Sequence, residues 1–162
     1  MDTPLALLAS DLPNAPHPHP DPAAAKYGRG RLLVVAGSRR FPGAASLALA
    51  GASASGCGSL RAALPRELAS QLWQQHPHVV LEAALECGPS QELDLAGLSQ
   101  EALERLDALL LGPGLGLAAG GEGRGETQER LSALWQTLQE FNGLLVLDAD
   151  GLNRLAARGD AS

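Results

Sequence analysis

LLVVAGSRRFPGA, residues 32 to 44, joins an unbroken apolar run to a glycine-bounded loop and then to an alanine-rich segment. The run Leu32 to Ala36 has no polar alternation. That suits a strand buried on both faces, as in a parallel sheet with helices on either side. Gly37 can take a positive φ and lets the backbone come close to a ligand. A helix opening near Gly43 turns its unbonded N–H groups, and the positive end of its dipole, toward the loop. The expected guest is an anion, in the first instance the phosphate of a nucleotide.

The same texture repeats downstream. Strands are expected at 32–36, 59–64, 79–84, 108–111 and 144–147, and helices at 43–55, 65–75, 99–106, 126–141 and 150–157. Residues 79–84 read equally as the extension of a helix. Pro65 suits a first helical turn, and Leu131, Leu134, Trp135 and Leu138 share one helical face. Trp73 and Trp135 are expected in the core or at an interface. Strand and helix in alternation imply an α/β fold: three layers, α/β/α, around a mostly parallel sheet. Ahead of it, DLPNAPHPHPDPAAA (11–25) carries Pro13, Pro16, Pro18, Pro20 and Pro22, which excludes a helix or strand interior. Residues 1–25 are therefore expected to be a proline-rich, disordered leader, and 26–162 the domain.

With 162 residues the chain suffices for one domain with a real core. Aromatics are only 3% while apolar residues make up 45%, so the core must be Ala, Leu and Val. Scarce aromatics and a net charge of −6 argue against nucleic acid and against an anionic membrane surface. Cys57 and Cys87 lie far apart without metal-ligand spacing, so neither a disulfide framework nor a metal site is expected and the cytoplasm is the default compartment. No apolar run approaches membrane-spanning length.

Three loops follow apolar runs. Gly37 and Gly43 bracket a P-loop-like span, but Ala44 and Ala45 stand where a Walker motif needs Lys and Ser or Thr. Arg39 and Arg40 offer either guanidinium contacts to phosphate or a solvated basic turn. In LLLGPGLGLAAGG, Gly114, Gly116 and Ala119 fit GxGxxA, yet Pro113 stiffens the turn and no acid follows at the expected strand end. A rigid glycine turn at a strand's carboxyl end, Gly112 to Gly116, is nonetheless where open α/β sheets bind ligands. LLVLDADGLN, 144–153, closes the set. Asp148 is a candidate for substrate or metal, Asn153 for the same environment, and Asp150 reads as an N-cap of the following helix. The pairs His17–His19 and His76–His78 flank prolines and are read as chance occurrences in proline-containing loops. Ser38 lacks a GxSxG context, so no hydrolase triad is expected.

In order and separation, KYGRGRLLVVAGS, RRFPGA, LLLGPGLG and LLVLDADGLN resemble the ADP- or ATP-dependent NAD(P)H-hydrate dehydratase family over about residues 26–157. The resemblance implies a ribokinase-like fold and a repair reaction. NADH or NADPH hydrated on the nicotinamide ring is phosphorylated on the new hydroxyl by a nucleotide with Mg2+. Phosphate then leaves, and the double bond returns. It implies that Ala44 is a substrate contact and that Gly112, Gly114 and Gly116 lie against the hydrated dinucleotide. With the loop residues above, the substrate-side set is Gly37, Ser38, Gly43, Ala44, Gly112, Gly114, Gly116, Asp148 and Asn153. The family's later segments are a TPHPGE-like stretch, a lysine-containing nucleotide stretch and a GTGD motif bearing the base. None of them occurs in this sequence. On that pattern the chain is the first half of an incomplete domain, with no catalytic residue of its own and no turnover expected alone. The resemblance also implies a homo-oligomer or a complementing C-terminal half, and an epimerase domain upstream of the leader. Other readings are another ribokinase-like small-molecule kinase, a non-catalytic dinucleotide-binding α/β module, and, least favoured, a Rossmann oxidoreductase.

Overall fold

Strand β1 (Arg31–Val35) is the centre of a five-stranded sheet with the order β3-β2-β1-β4-β5. The others are β2 (Ser59–Pro65), β3 (Val80–Leu85), β4 (Ala108–Leu111) and β5 (Leu144–Leu147), and every neighbouring pair is parallel. The computed structural model describes residues 25–117 and 125–159. The leader through residue 24, the His17–His19 pair, Ala119 and the glycines at 120, 121 and 123 lie outside the described residues, as does the side chain of Leu131.

The unbroken apolar run does what its pattern requires. Leu33 and Val35 face one core, shared with Leu109 and Leu111 and covered by Leu134, Trp135 and Leu138 of α4 (Gly125–Gln139). Val34 and Ala36 face a second, shared with Ala62 and Leu64 and covered by Ala45 and Leu49 of α1 (Pro42–Ala54). Leu33, Val34, Val35 and Ala36 are all fully buried, which only helices on both faces can achieve. Three layers result, as the alternation predicts.

Pro65 departs from expectation. It ends β2, paired to Leu85, and the 65–75 segment breaks into α2 (Arg66–Ala69) and α3 (Leu72–Gln75). The Ser70 hydroxyl donates back to Glu67 O at 2.9 Å where α2 stops, a local bond that competes with helix continuation. Trp73 on α3 is 68% exposed, whereas Trp135 is buried. Residues 99–106 form no α-helix. Ser99 Oγ accepts from Ala102 N at 3.2 Å to cap a short 3-10 turn, Gln100–Leu103, and Arg105 at φ 57 leads out of it. Val80–Leu85 is a strand, which resolves the helical alternative. Helix α5 spans Asp150–Gly159. Cys57 and Cys87 are free thiols, and no described helix is long and apolar enough to cross a membrane.

Candidate functional site

The sheet builds outward from β1 in both directions, to β2 and β3 on one side and to β4 and β5 on the other. Such a reversal opens a crevice at the carboxyl ends of the two central strands, here β1 and β4, and ligands of open α/β sheets bind there. The loops after β1, β4 and β5 meet at that end. Gly37 N donates to Pro113 O at 2.8 Å, and Gly112 N donates to Val35 O at 3.3 Å, so the first two loops are directly bonded. A Cβ on Gly114 would sit 2.5 Å from Ala44 Cβ and 3.0 Å from Phe41 Cβ, and one on Gly112 would overlap the carbonyl oxygen of Asp148. Gly37, Gly112, Gly114 and Gly116 all have positive φ (80°, 143°, 65° and 76°). At Gly112 and Gly114 only glycine serves both the conformation and the approach.

Helix α1 starts with Pro42 at its first turn and has no side-chain cap on Phe41. Its start therefore keeps N–H capacity directed toward the crevice. Gly43 is exposed, with open space around it. Ser38 is different. It is fully buried, and its Oγ accepts from Phe41 N at 3.2 Å, so it shapes the turn instead of facing the crevice. Arg39 and Arg40 are likewise engaged: Arg39 pairs with Glu67, and Arg40 lies 5.3 Å from the Phe41 ring centroid. The Arg39 guanidinium holds the Glu67 carboxyl below its usual range, chiefly through their hydrogen bond. Both side chains lie on an exposed turn, and the Arg40 guanidinium makes no ion pair among the described residues.

Asp148 is exposed, and its carboxylate makes no hydrogen bond among the described residues, while its backbone is fixed by bonds to Leu111 O (3.1 Å) and from Gly151 N (2.8 Å). Asp150 is no N-cap. It lies inside the first turn of α5, and its Oδ2 accepts from Gly116 N at 2.8 Å, with Asn153 Nδ2 donating to Oδ1 at 3.4 Å. Asn153 is exposed beside it. The sequence reading missed Arg154, whose guanidinium donates to the carbonyls of Gly116, Leu115 and Leu93. Its spacing of four from Asp150 signals only a shared helix face; the loop it grips has no local signature. Burial pushes the Arg154 guanidinium below its ordinary value, opposed by the charges of Asp150, Glu92 and Asp94.

His76 and His78 stand 6.2 Å apart edge to face, bonded to Ser46 and Ser53 of α1 at 3.2 and 2.7 Å. They lock α1 to the turn after α3. Among the described residues no group of three or more His, Cys, Asp or Glu is arranged to hold a metal ion.

Residues 32–162 match the profile of a carbohydrate-kinase-type family described as NAD(P)H-hydrate dehydratase. The bifunctional NAD(P)H-hydrate repair enzyme Nnr of Gloeobacter violaceus is 39% identical over 153 residues, which are 94% of this chain and 27% of that enzyme. A solved ribokinase-like superfamily protein from Enterococcus faecalis V583 superposes with a TM-score of 0.66 at 21% identity, over 88% of this chain and 44% of its own. The ADP/ATP-dependent NAD(P)H-hydrate dehydratase of Bacillus subtilis, co-crystallised with ATP/Mg2+, gives 0.57 at 24%, over 83% and 42%. The two superpositions bear out the ribokinase-like fold. The chain spans about a quarter of the length of the curated bifunctional relatives it matches.

Proposed function

Because the chain belongs to the NAD(P)H-hydrate dehydratase family, we propose that its crevice is the substrate side of a site for nucleotide-dependent dehydration of hydrated NADH or NADPH. The observation that carries this reading is the meeting of three turns at the sheet's reversal: Ala44 against Gly114, and Gly112 against Asp148. In the reaction, the terminal phosphoryl group of ADP or ATP passes to the ring hydroxyl. The C–O bond to phosphate then breaks as an adjacent proton leaves, restoring the double bond. Phosphoryl transfer depends on positioning and on donors aimed at the charge that develops.

Each part of the crevice has a task in this proposal. The start of α1 offers the backbone N–H of Gly43 to the pyrophosphate, with Ala44, whose own N–H donates to Phe41 O, beside it. Gly37 and Ser38 fix the turn that aims it. Gly112, Gly114 and Gly116 form a wall low enough for a flat ring to lie against. Asp148 and Asn153 accept from and donate to hydroxyl or amide groups of the dinucleotide. For a Mg2+ held mainly by the nucleotide's phosphates, which needs only one or two carboxylates, the crevice offers Asp148, since Asp150 is committed to Gly116. Of the two arginines of the first loop, Arg39 pairs with Glu67, and Arg40 lies over the Phe41 ring with no ion pair among the described residues. We expect dinucleotide binding, but no nucleotide-dependent turnover, from the 162-residue chain alone, because the family's lysine-containing nucleotide stretch and its GTGD motif do not occur in it. The commitment of Asp150 to Gly116 equally favours a second reading, a dinucleotide-binding module without chemistry.

Thermal unfolding with NADPH or ATP tests the proposal. A ligand at about a hundred times its Kd adds about 2.7 kcal/mol to stability, which moves the Tm of a domain this size by several degrees. The expected outcome is protection by NADPH and none by ATP. Protection by ATP alone, or by neither, removes the dinucleotide reading. Loss of NADPH hydrate on adding nucleotide would separate the enzyme from the module.

A further inference from the structure

Two side chains one turn apart on α5 take hold of the same glycine. Asp150 Oδ2 accepts from the N–H of Gly116 at 2.8 Å, and Arg154 donates to the carbonyl of Gly116 through Nε (3.0 Å) and Nη2 (2.7 Å). Residues four apart lie on one helical face, so a single face of α5 meets both polar groups of Gly116. Arg154 also reaches Leu115 O (Nη2, 3.2 Å) and Leu93 O (Nη1, 2.9 Å). Leu93 N in turn donates to Leu115 O at 2.7 Å. Three segments, around Leu93, around Gly116 and at the start of α5, are thus tied at one guanidinium.

The way Arg154 is used is unusual for a half-buried cation. Its side chain forms no ion pair among the described residues, and its bonds go to backbone carbonyls. A planar fork with five donors can serve three carbonyls at once, which an ammonium group cannot do in fixed geometry. Nearby negative charge comes from Asp150, Glu92 and Asp94, and Glu92 Oε2 is itself buried without a hydrogen-bond partner. The cation is therefore held by its surroundings as well as by its bonds.

The turn needs such a hold. Gly112, Gly114 and Gly116 all sit at positive φ, and glycine is the residue whose freedom is largest when nothing constrains it. A floppy wall would have to be ordered by each ligand that arrives, at a cost in affinity. We propose that Asp150 and Arg154 are positioning residues: they clamp Gly116 by its N–H and C=O, and so set the Gly112–Gly116 turn before any ligand binds. The link to affinity rests on the dinucleotide reading above; the clamp itself does not.

The experiment compares wild type with R154K, D150A and D150N, following residue-resolved amide hydrogen exchange and the Kd for NADPH. In R154K and D150A, exchange at Leu115 and Gly116 is expected to rise about tenfold or more, while Val34 and Val35 of β1 keep their protection. D150N keeps an acceptor oxygen and should restore most of the protection at Gly116. The Kd for NADPH should rise in parallel with turn exchange, about tenfold in R154K. Unchanged exchange at Leu115 and Gly116 in both R154K and D150A would overturn the clamp. So would an equal rise across β1, which would make the pair ordinary stabilisers of the fold. If wild type shows no NADPH binding, the dinucleotide reading fails, and the exchange data still decide the clamp.

Discussion

Two glycines with opposite surroundings show how much of this site is written one residue at a time. A Cβ on Gly112 would overlap the Asp148 carbonyl, and φ there is 143°. Gly51, on the exposed side of α1, has nothing within 4 Å of a Cβ. Substitution by alanine should separate them. G112A carries backbone strain of about 1–3 kcal/mol and adds a steric overlap with main chain that no side-chain rotation relieves. G51A should gain about 0.5–1 kcal/mol, because alanine is the better helix former. Urea midpoints of the two variants check this, and a G112A protein as stable as wild type would mean that the β4 and β5 loops do not touch. Such a result would also remove the crevice. Sequence showed that Gly112 lies at a strand end and Gly51 inside a helix. It could not show which of them press on a neighbour, because that depends on a residue about 36 positions away.

At the scale of elements, Asp107 ties together the amino ends of three strands. Its Oδ2 accepts from Arg31 N at 2.8 Å and from Arg31 Nε at 3.1 Å, its N–H donates to Arg31 O, and its carbonyl accepts from Leu144 N at 2.9 Å. The Arg31 side chain first, and its backbone N–H second, hold the Asp107 carboxyl below its usual range. A carboxyl whose folded pKa is depressed contributes stability that is complete above the unfolded value of about 3.9 and is lost as pH falls through the folded value. The destabilisation caused by D107A should therefore be full at neutral pH and shrink on acidification below the ordinary carboxylate range. Chemical denaturation of both proteins along a pH series reads it, and a gap that stays constant into strong acid would show that the ion pair contributes nothing. Strands β1 and β4 were legible because burial on both faces demands unbroken apolar runs, as in Leu32 to Ala36, whereas β3 carries Glu82, which pairs with Arg61 of β2, and read equally as helix. The helix boundaries at 65–75 and 99–106 were less so. There the outcome turned on local bonds, such as Ser70 back to Glu67 O and Ser99 onto Ala102 N, which propensity does not weigh against helix continuation. The two arginines of SRRFP were left open in the sequence for a related reason: the partner of Arg39, Glu67, lies after β2 and is supplied by the fold.

Across the whole molecule, the sheet is closed at its centre and open at its edges, with Val80 and Leu81 of β3 exposed at one of them. At β1 every residue from Leu33 to Ala36 is fully buried. At β5, the edge next to β4, Leu144 is 64% and Val146 42% exposed, and Leu152 and Leu155 of α5 are exposed as well. A parallel strand on a sheet edge with apolar residues in water is a template for further pairing. This row lies on the face whose inner part α1 covers, since Leu32 and Leu110 pack there against Val34 and Leu49. The described helices leave its outer part open. We expect the 162-residue chain to self-associate through this edge as its concentration rises, and V146K to weaken the association by about tenfold or more, equivalent to about 1.4 kcal/mol. A lysine on an edge strand opposes strand addition by placing a hydrated charge in the new interface. Because Val146 is already 42% exposed, the substitution should leave the melting temperature of the dilute protein almost unchanged. Sedimentation velocity across a concentration series measures the effect. A chain that stays monomeric throughout, or an association that V146K leaves intact, would show that the open edge of β5 is not the surface at which copies meet.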